Sequence, residues 1–184
     1  MDRFEQKLNN PQAALKQIGA LVVSESQRAF KLQKHGANQW RERNSPNRFG
    51  ILSDFAAGKR KPPNRRFETR PALMDTGRLS KSIAFKLIGS KLVEIGTNLP
   101  YADVHHTGGE VESVPITKQM QQLMFDWLMK QSDEMFEIFG PLLERKMIGK
   151  TIKAEVPARP FIGITKQTIA DVKEVVGATL LEVK

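Results

Sequence analysis

Residues 83–95 constrain the fold more tightly than any other part of the chain. Ile83, Phe85 and Leu87 alternate with other residues, Gly89-Ser90 breaks the run, and Val93 and Ile95 resume the alternation. Successive side chains of a strand point to opposite faces, so this pattern predicts an antiparallel hairpin with one apolar face. Turn length sets its register. A two-residue turn at Gly89-Ser90 pairs Phe85 with Glu94 and places a carboxylate on the apolar face. A three-residue turn from Gly89 to Lys91 pairs Leu87 with Val93 and Phe85 with Ile95, gathering all five large apolar side chains on one face. The longer turn is the expectation.

Helical periods flank the hairpin. Asn10-Pro11 is a cap-and-first-turn pair, after which Leu15, Ile18, Val22, Ser26 and Ala29 recur at three- and four-residue steps. The helix is expected to run to about Gln33, with His35-Gly36 ending it. Thr117 caps a predicted helix carrying Met120, Leu123, Met124, Trp127 and Leu128 on one side. A second helix near residues 133–147 is broken or kinked by Pro141. Thr165 caps a last helix with Ile169, Val172, Val176, Leu180 and Val183 on one stripe. Residues 152–157 read as a strand, 157–164 as an extended segment stiffened by proline, and 99–109 as a short strand ending in a glycine turn.

Residues 36–74 follow no period. Gly36, Pro46, Gly50, Gly58, Pro62, Pro63 and Pro71 interrupt them, which predicts a long flexible loop. From Arg41 to Arg70, nine basic residues face only Glu42, Asp54 and Glu68, a net +6 out of the chain's formal +9. Lys59, Arg60, Lys61, Arg65 and Arg66 are therefore candidate contacts to an acidic partner or to DNA phosphates. The plainer reading is a solvated loop that keeps the protein soluble. Five of the seven methionines fall between residues 120 and 147, within a helical insertion spanning 115–150. Met120, Leu123, Met124 and Trp127 suit either an irregular core or an adaptable face for docking another helix.

The chain of 184 residues, 40% hydrophobic and 27% charged, reads as one globular domain spanning 1–184 and able to bury its own core. It has no cysteine, which excludes disulfides and thiolate metal sites. No apolar run approaches the roughly 18 residues of a membrane span, and MDRFEQKLNN lacks an apolar leader core, so no membrane partner is expected and the chain reads as cytoplasmic where it is made. On a strand, the adjacent His105 and His106 face opposite sides; Asp103 shares a face with His105, but one histidine and one carboxylate make a poor metal site. There is no Gly-x-Ser-x-Gly elbow and no phosphate-binding glycine loop. Neither catalysis, nor a metal, nor a cofactor is expected.

Four stretches in order, Asn38-Gln39-Trp40, MDTGRLSKSI (74–83), VEIGTNLPYADVHHTGG (93–109) and VPARPFIGI (156–164), followed by a terminal amphipathic helix, resemble the phage virion morphogenesis family. That family includes tail completion and head–tail joining proteins. His106 stands where its Tyr-Ala-x-x-His-Gln-x-Gly-Gly pattern has glutamine, and the methionine-rich segment is longer than relatives lead one to expect. The resemblance implies an α+β fold, a small mostly antiparallel sheet packed on long first and last helices. It also implies a homo-oligomeric ring subunit at the tail end or head–tail junction, bound to tail or neck proteins, made in the host cytoplasm and carried in the virion. Incidental, non-specific DNA contact is compatible with such a place. Within the motifs it implies structural roles: Asp75, Thr76 and Gly77 in a turn, with Gly96, Gly108 and Gly109 also allowing tight turns. His105 lies in the same motif, Tyr101 and Phe161 would anchor loops to the core, and Pro157 and Pro160 would stiffen the approach to the last helix. Arg159 would bond to carbonyls or to a carboxylate. The competing reading is a basic nucleic-acid-binding module using residues 41–70, against which stand little aromatic interleaving and no recognisable helix-turn-helix, zinc or single-strand-binding motif.

Overall fold

The computed structural model describes residues 11–42, 47–68 and 70–181, the side chains of residues 179–181 excepted. In chain order its elements are α1 (Gln12–Leu32), β1 (Lys34–His35), β2 (Asn38–Gln39), α2 (Arg48–Ala56), α3 (Arg78–Ser82), β3 (Ala84–Ile88), β4 (Leu92–Gly96), α4 (Ala102–Thr107), β5 (Gly109–Glu112), α5 (Lys118–Leu128), α6 (Asp133–Phe139), β6 (Lys153–Val156) and α7 (Lys166–Leu181). Short 3-10 turns occur at Asn64–Arg66, Gly140–Leu143 and Arg145–Met147. The strands pair as three separate antiparallel sheets, β1 with β2, β3 with β4 and β5 with β6. The class is α+β, as expected, but the sheet is divided rather than continuous.

Two compact units are present. One comprises Met1–Glu42, Pro71–Gly108 and Pro157–Lys184, and the other Arg43–Arg70 with Gly109–Val156. Much of the expected loop and of the expected insertion lie together in the second unit.

In unit 1, α1 buries Val22, Ser26 and Ala29 as its period requires, together with Ala14, Gly19 and Phe30. Asn10 lies outside the described residues. The helix ends at Gln33, whose N–H donates to the Ala29 carbonyl and whose left-handed backbone (φ 54°) turns the following chain out of the helix. The β3–β4 hairpin has the three-residue turn, with Leu87 opposite Val93 and Phe85 opposite Ile95. It packs on α1 where Gly19 opens the helix surface: a Cβ there would lie 2.5 Å from Phe85 Cδ2 and 3.0 Å from Val93 Cγ2. Phe85 thus fills the space that any other residue at 19 would occupy.

Helix α7 also packs on α1. Its start is a reciprocal cap, Thr165 Oγ1 accepting from the Thr168 N–H at 3.0 Å while Thr168 Oγ1 accepts from the Thr165 N–H at 3.2 Å. The predicted stripe is only partly used. Thr168 is buried and Asp171, Val172 and Val175 are half-buried, whereas Ile169 and Val176 are exposed. The helix sits on α1 by a face rotated from the most apolar one. Leu180 and Val183 lie outside the described side chains.

The strand expected at 99–109 is instead a turn followed by α4. Leu99 and Ala102, three residues apart, are both buried, which a two-residue period cannot achieve. The Ala102 N–H donates to the Leu99 carbonyl at 3.0 Å, and Gly108 (φ 78°) closes the helix.

Unit 2 contains the largest departure from the sequence reading. Within the stretch expected to be a flexible loop, α2 buries Ile51, Leu52 and Phe55 almost completely. The Asn47 side chain caps it by accepting from the Gly50 N–H at 3.0 Å. Gly50, which reads as a breaker, is there because the Arg66 guanidinium crosses it, with Nη1 2.5 Å from where a Cβ would stand. The α2 residues join Ile116, Met120, Met124, Trp127, Leu128, Phe139 and Leu142 in one core. Helix α5 begins as expected, Thr117 Oγ1 accepting from the Met120 N–H at 3.1 Å, and α6 gives way to 3-10 turns at Gly140-Pro141.

Candidate functional site

The four family-like stretches of sequence meet in unit 1, around one buried cluster of rings. Phe30 from α1 stands edge-on to Trp40 at 5.3 Å between ring centroids and also 5.3 Å from Phe161. Trp40 Nε1 donates to the Pro160 carbonyl at 2.9 Å. His106 meets Phe161 edge-on at 4.9 Å, and its Nδ1 accepts from the Phe161 N–H at 3.3 Å. Leu79, Ile83, Leu99 and Ala102 complete the cluster. The Trp40 and His106 bonds each reach a backbone group of another segment, so they fasten loops that the rings alone would leave free to slide.

Arg159 is the strongest fastener. It is buried, its N–H donates to the His105 carbonyl at 2.9 Å, and its guanidinium donates to the carbonyls of Arg41 at 3.0 Å and Glu42 at 3.2 Å. Of the two partners the resemblance allows, carbonyls are the ones used. Burial, and then the nearby Arg41 charge, lower its pKa. A second fastener escaped the sequence reading. The Gln33 amide donates to the carbonyls of Phe30 at 2.6 Å and Ala72 at 3.1 Å, while its oxygen accepts from the Ala72 N–H. Nothing in the local pattern marks Gln33, because the bond reaches across 39 positions.

The remaining motif positions divide. Gly77 (φ 69°) opens α3, preceded by half-buried Asp75 and by Thr76, whose hydroxyl accepts from the Arg78 N–H at 3.3 Å. Gly108 and Gly109 also take positive φ. Gly96 does not turn: it lies in β4 opposite Ala84, with open space where a Cβ would point. Tyr101 is not a core anchor either. It is 39% exposed and rests edge-on against His105 at 6.0 Å, while its neighbours Leu99 and Ala102 take the buried places. Pro157 and Pro160 flank Arg159 in the segment before α7, which has no regular structure.

All three histidines lie in unit 1. On helix α4, His105 and His106 are about 100° apart rather than on opposite faces. His105 Nδ1 and His35 Nε2 are buried without a hydrogen-bond partner among the described residues. Burial lowers the pKa of both. The Arg159 charge adds to the effect at His105, and His106 adds to it at His35, where Glu25 opposes. Among the described residues, no three histidine or carboxylate side chains gather as a metal-ligand set.

In unit 2 the basic candidates separate into two groups. Lys59 and Arg66 are committed internally: Lys59 Nζ lies 2.7 Å from Asp54 Oδ1, and Arg66 Nε lies 2.8 Å from Asp54 Oδ2. Asp54 is buried, which by itself raises a carboxyl pKa. The hydrogen bonds and charges of Arg66 and Lys59 outweigh this and hold it below the ordinary value. Arg60 and Lys61 stay exposed, and Arg65 is half-buried in the 3-10 turn. The expected docking face is mostly interior: Met120, Met124 and Trp127 are core residues, and Trp127 is packed by the rings of Phe55, Phe67 and Phe139. Leu123 alone is half-exposed, at the edge of a groove of about 990 Å³ that it shares with Arg60 and Lys61.

Unit 1 is thus an α+β scaffold whose sequence-distant loops are locked on one aromatic junction. The chain matches the model of the phage virion morphogenesis family over residues 1–181 and belongs to that family. Membership gives it a part in the structure or assembly of phage particles. Neither the curated proteins nor the solved structures offer a match. No helix among the described residues is long and apolar enough to cross a membrane.

Proposed function

We propose that this chain acts in tail completion or in joining heads to tails, as a non-catalytic subunit of a homo-oligomeric ring. The observation that carries the reading is the convergence of the four family-like stretches on the Phe30–Trp40–Phe161 junction, fastened by Arg159 and His106. A junction of this kind builds a rigid platform, and rigidity is what a subunit needs to repeat one interface around a ring. Ile164, Ile169 and Val176 leave apolar surface at the start and along the outside of α7, where a neighbouring subunit or a tail protein can be seated.

The test is complementation. A phage lacking this gene should accumulate heads and tails that do not join. The wild-type gene should restore joining, and the double variant Ile169→Asp/Val176→Asp should not, while melting like the wild type. Sedimentation at physiological salt should show multimers for the wild type and monomers for the variant. Normal joining without the gene would overturn the proposal. A wild-type monomer that still restored joining would remove the ring from it.

A further inference from the structure

We propose that the groove of unit 2 between the 58–62 turn and the end of α5 binds an acidic segment of another protein, with an apolar side chain seated on Leu123 and Met129 and carboxylates on Arg60, Lys61 and Lys130. This goes beyond the ring reading and holds whether or not a ring forms.

The groove has a volume of about 990 Å³ and lies wholly within unit 2. Its two cations on the turn are held in place. Before them, the Lys59 N–H donates to the Asp54 carbonyl at 3.0 Å and the Lys59 ammonium pairs with the Asp54 carboxylate at 2.7 Å. After them, Pro62 is fully buried. Arg60 and Lys61 are therefore presented from a turn anchored at both ends, and neither makes an ion pair among the described residues. A partner carboxylate meets donors whose backbone is already ordered, so less entropy is lost on binding.

The α5 side of the groove combines apolar and charged side chains. Met129, at the end of α5, is 62% exposed, an unusual placement for a large flexible side chain whose core counterparts Met120 and Met124 are buried. Leu123 lies beside it in the lining, and Lys130 adds a third cation against one carboxylate, Asp126. A thioether that can adapt its shape, in a lining that also holds three cations and one carboxylate, is complementary to an amphipathic acidic segment.

The same features disfavour nucleic acid. The aromatic side chain of the lining, Trp127, is 4% exposed and enclosed by other rings, so it offers no face for a base to stack on. Asp126 in the lining would repel a phosphate backbone.

The full chain would be titrated by fluorescence anisotropy, at physiological ionic strength, into a fluorescein-labelled peptide carrying leucines at helical spacing and glutamates elsewhere. The controls are the same peptide with every leucine changed to serine, and labelled duplex DNA. The leucine–glutamate peptide should bind saturably and the serine peptide much more weakly. Arg60→Glu/Lys61→Glu and, separately, Met129→Asp should each weaken binding by about tenfold or more. These residues are exposed, and Lys59 is left intact because it pairs with Asp54, so unchanged thermal melts should accompany the loss. The proposal is overturned by any of four results: no saturable binding, equal binding of the serine peptide, affinity unmoved by the charge reversal, or duplex DNA binding more tightly than the peptide through Arg60 and Lys61.

Discussion

The two units bury their interiors by different means. Unit 1 gathers three sequence-distant pieces on a small set of rings and then holds the loops with polar side chains bonded to backbone carbonyls: Arg159, Gln33 and the Trp40 indole. Unit 2 relies on a continuous apolar core from α2, α5 and α6, with one buried carboxylate answered by two cations. The difference shows in composition. Fastening backbone to backbone calls for a specific residue at each point, so unit 1 carries the family-like motifs. An apolar core asks only for volume, which methionine, leucine and phenylalanine supply interchangeably.

The largest test of this comparison removes one ring from each core. Phe30→Ala should cost about 3–5 kcal/mol in denaturant melts and strip amide protection from α1 and the β3–β4 hairpin. Phe139→Ala should cost a similar amount, with the loss of protection centred on α2 and α5. If either variant stripped protection equally from all of these elements, the two cores would be a single cooperative body.

A pH series should sharpen the contrast, because the two units are sensitive in different windows. In unit 1 the folded pKa values of His35 and His105 lie below the ordinary 6.5, so the unfolded chain takes up protons first. Their contribution is complete above that value and is lost as the pH falls below it. In unit 2 the folded pKa of Asp54 lies below the ordinary 3.8, so its contribution is complete above 3.8 and is lost only in stronger acid. Between pH 7.5 and 5, hydrogen exchange should report weakening of α1 and α4 while α2 and α5 hold. His35→Gln with His105→Gln should flatten the unit 1 response. An unchanged slope in that double variant would mean that other groups set the acid sensitivity.

The smallest expected effect is Glu94→Lys. Glu94 lies on the outer face of the hairpin, 3.1 Å from Lys86, and both side chains are more than half exposed. The reversal should change stability by less than about 0.5 kcal/mol in the isolated protein. A loss of well over that size would mean the outer hairpin face is covered in solution, and the account of unit 1 as a platform with one packed hairpin face would need revising.

Where the pattern is local, the sequence was enough. The register of β3 and β4 follows from alternation and one turn, the caps at Thr117 and Thr165 from residues three positions apart, and the end of α1 from the run of turn-forming residues after it. Two local readings still failed. Residues 99–109 carry too few apolar side chains to separate a two-residue from a three-residue period. In residues 48–56, Gly50 marks the passage of Arg66 rather than a break. Only the tertiary structure decided which cations are spent internally. Lys59 and Arg66 look the same in sequence as Arg60 and Lys61, and the assignment depends on where α2 places Asp54. The same holds for the methionine-rich face, whose residues became core because residues 48–56 fold against them, and for Gln33, whose partner Ala72 is 39 positions away. Periodicity records which side of an element is apolar; what covers that side is set by contacts between segments far apart in the chain, which no local window contains.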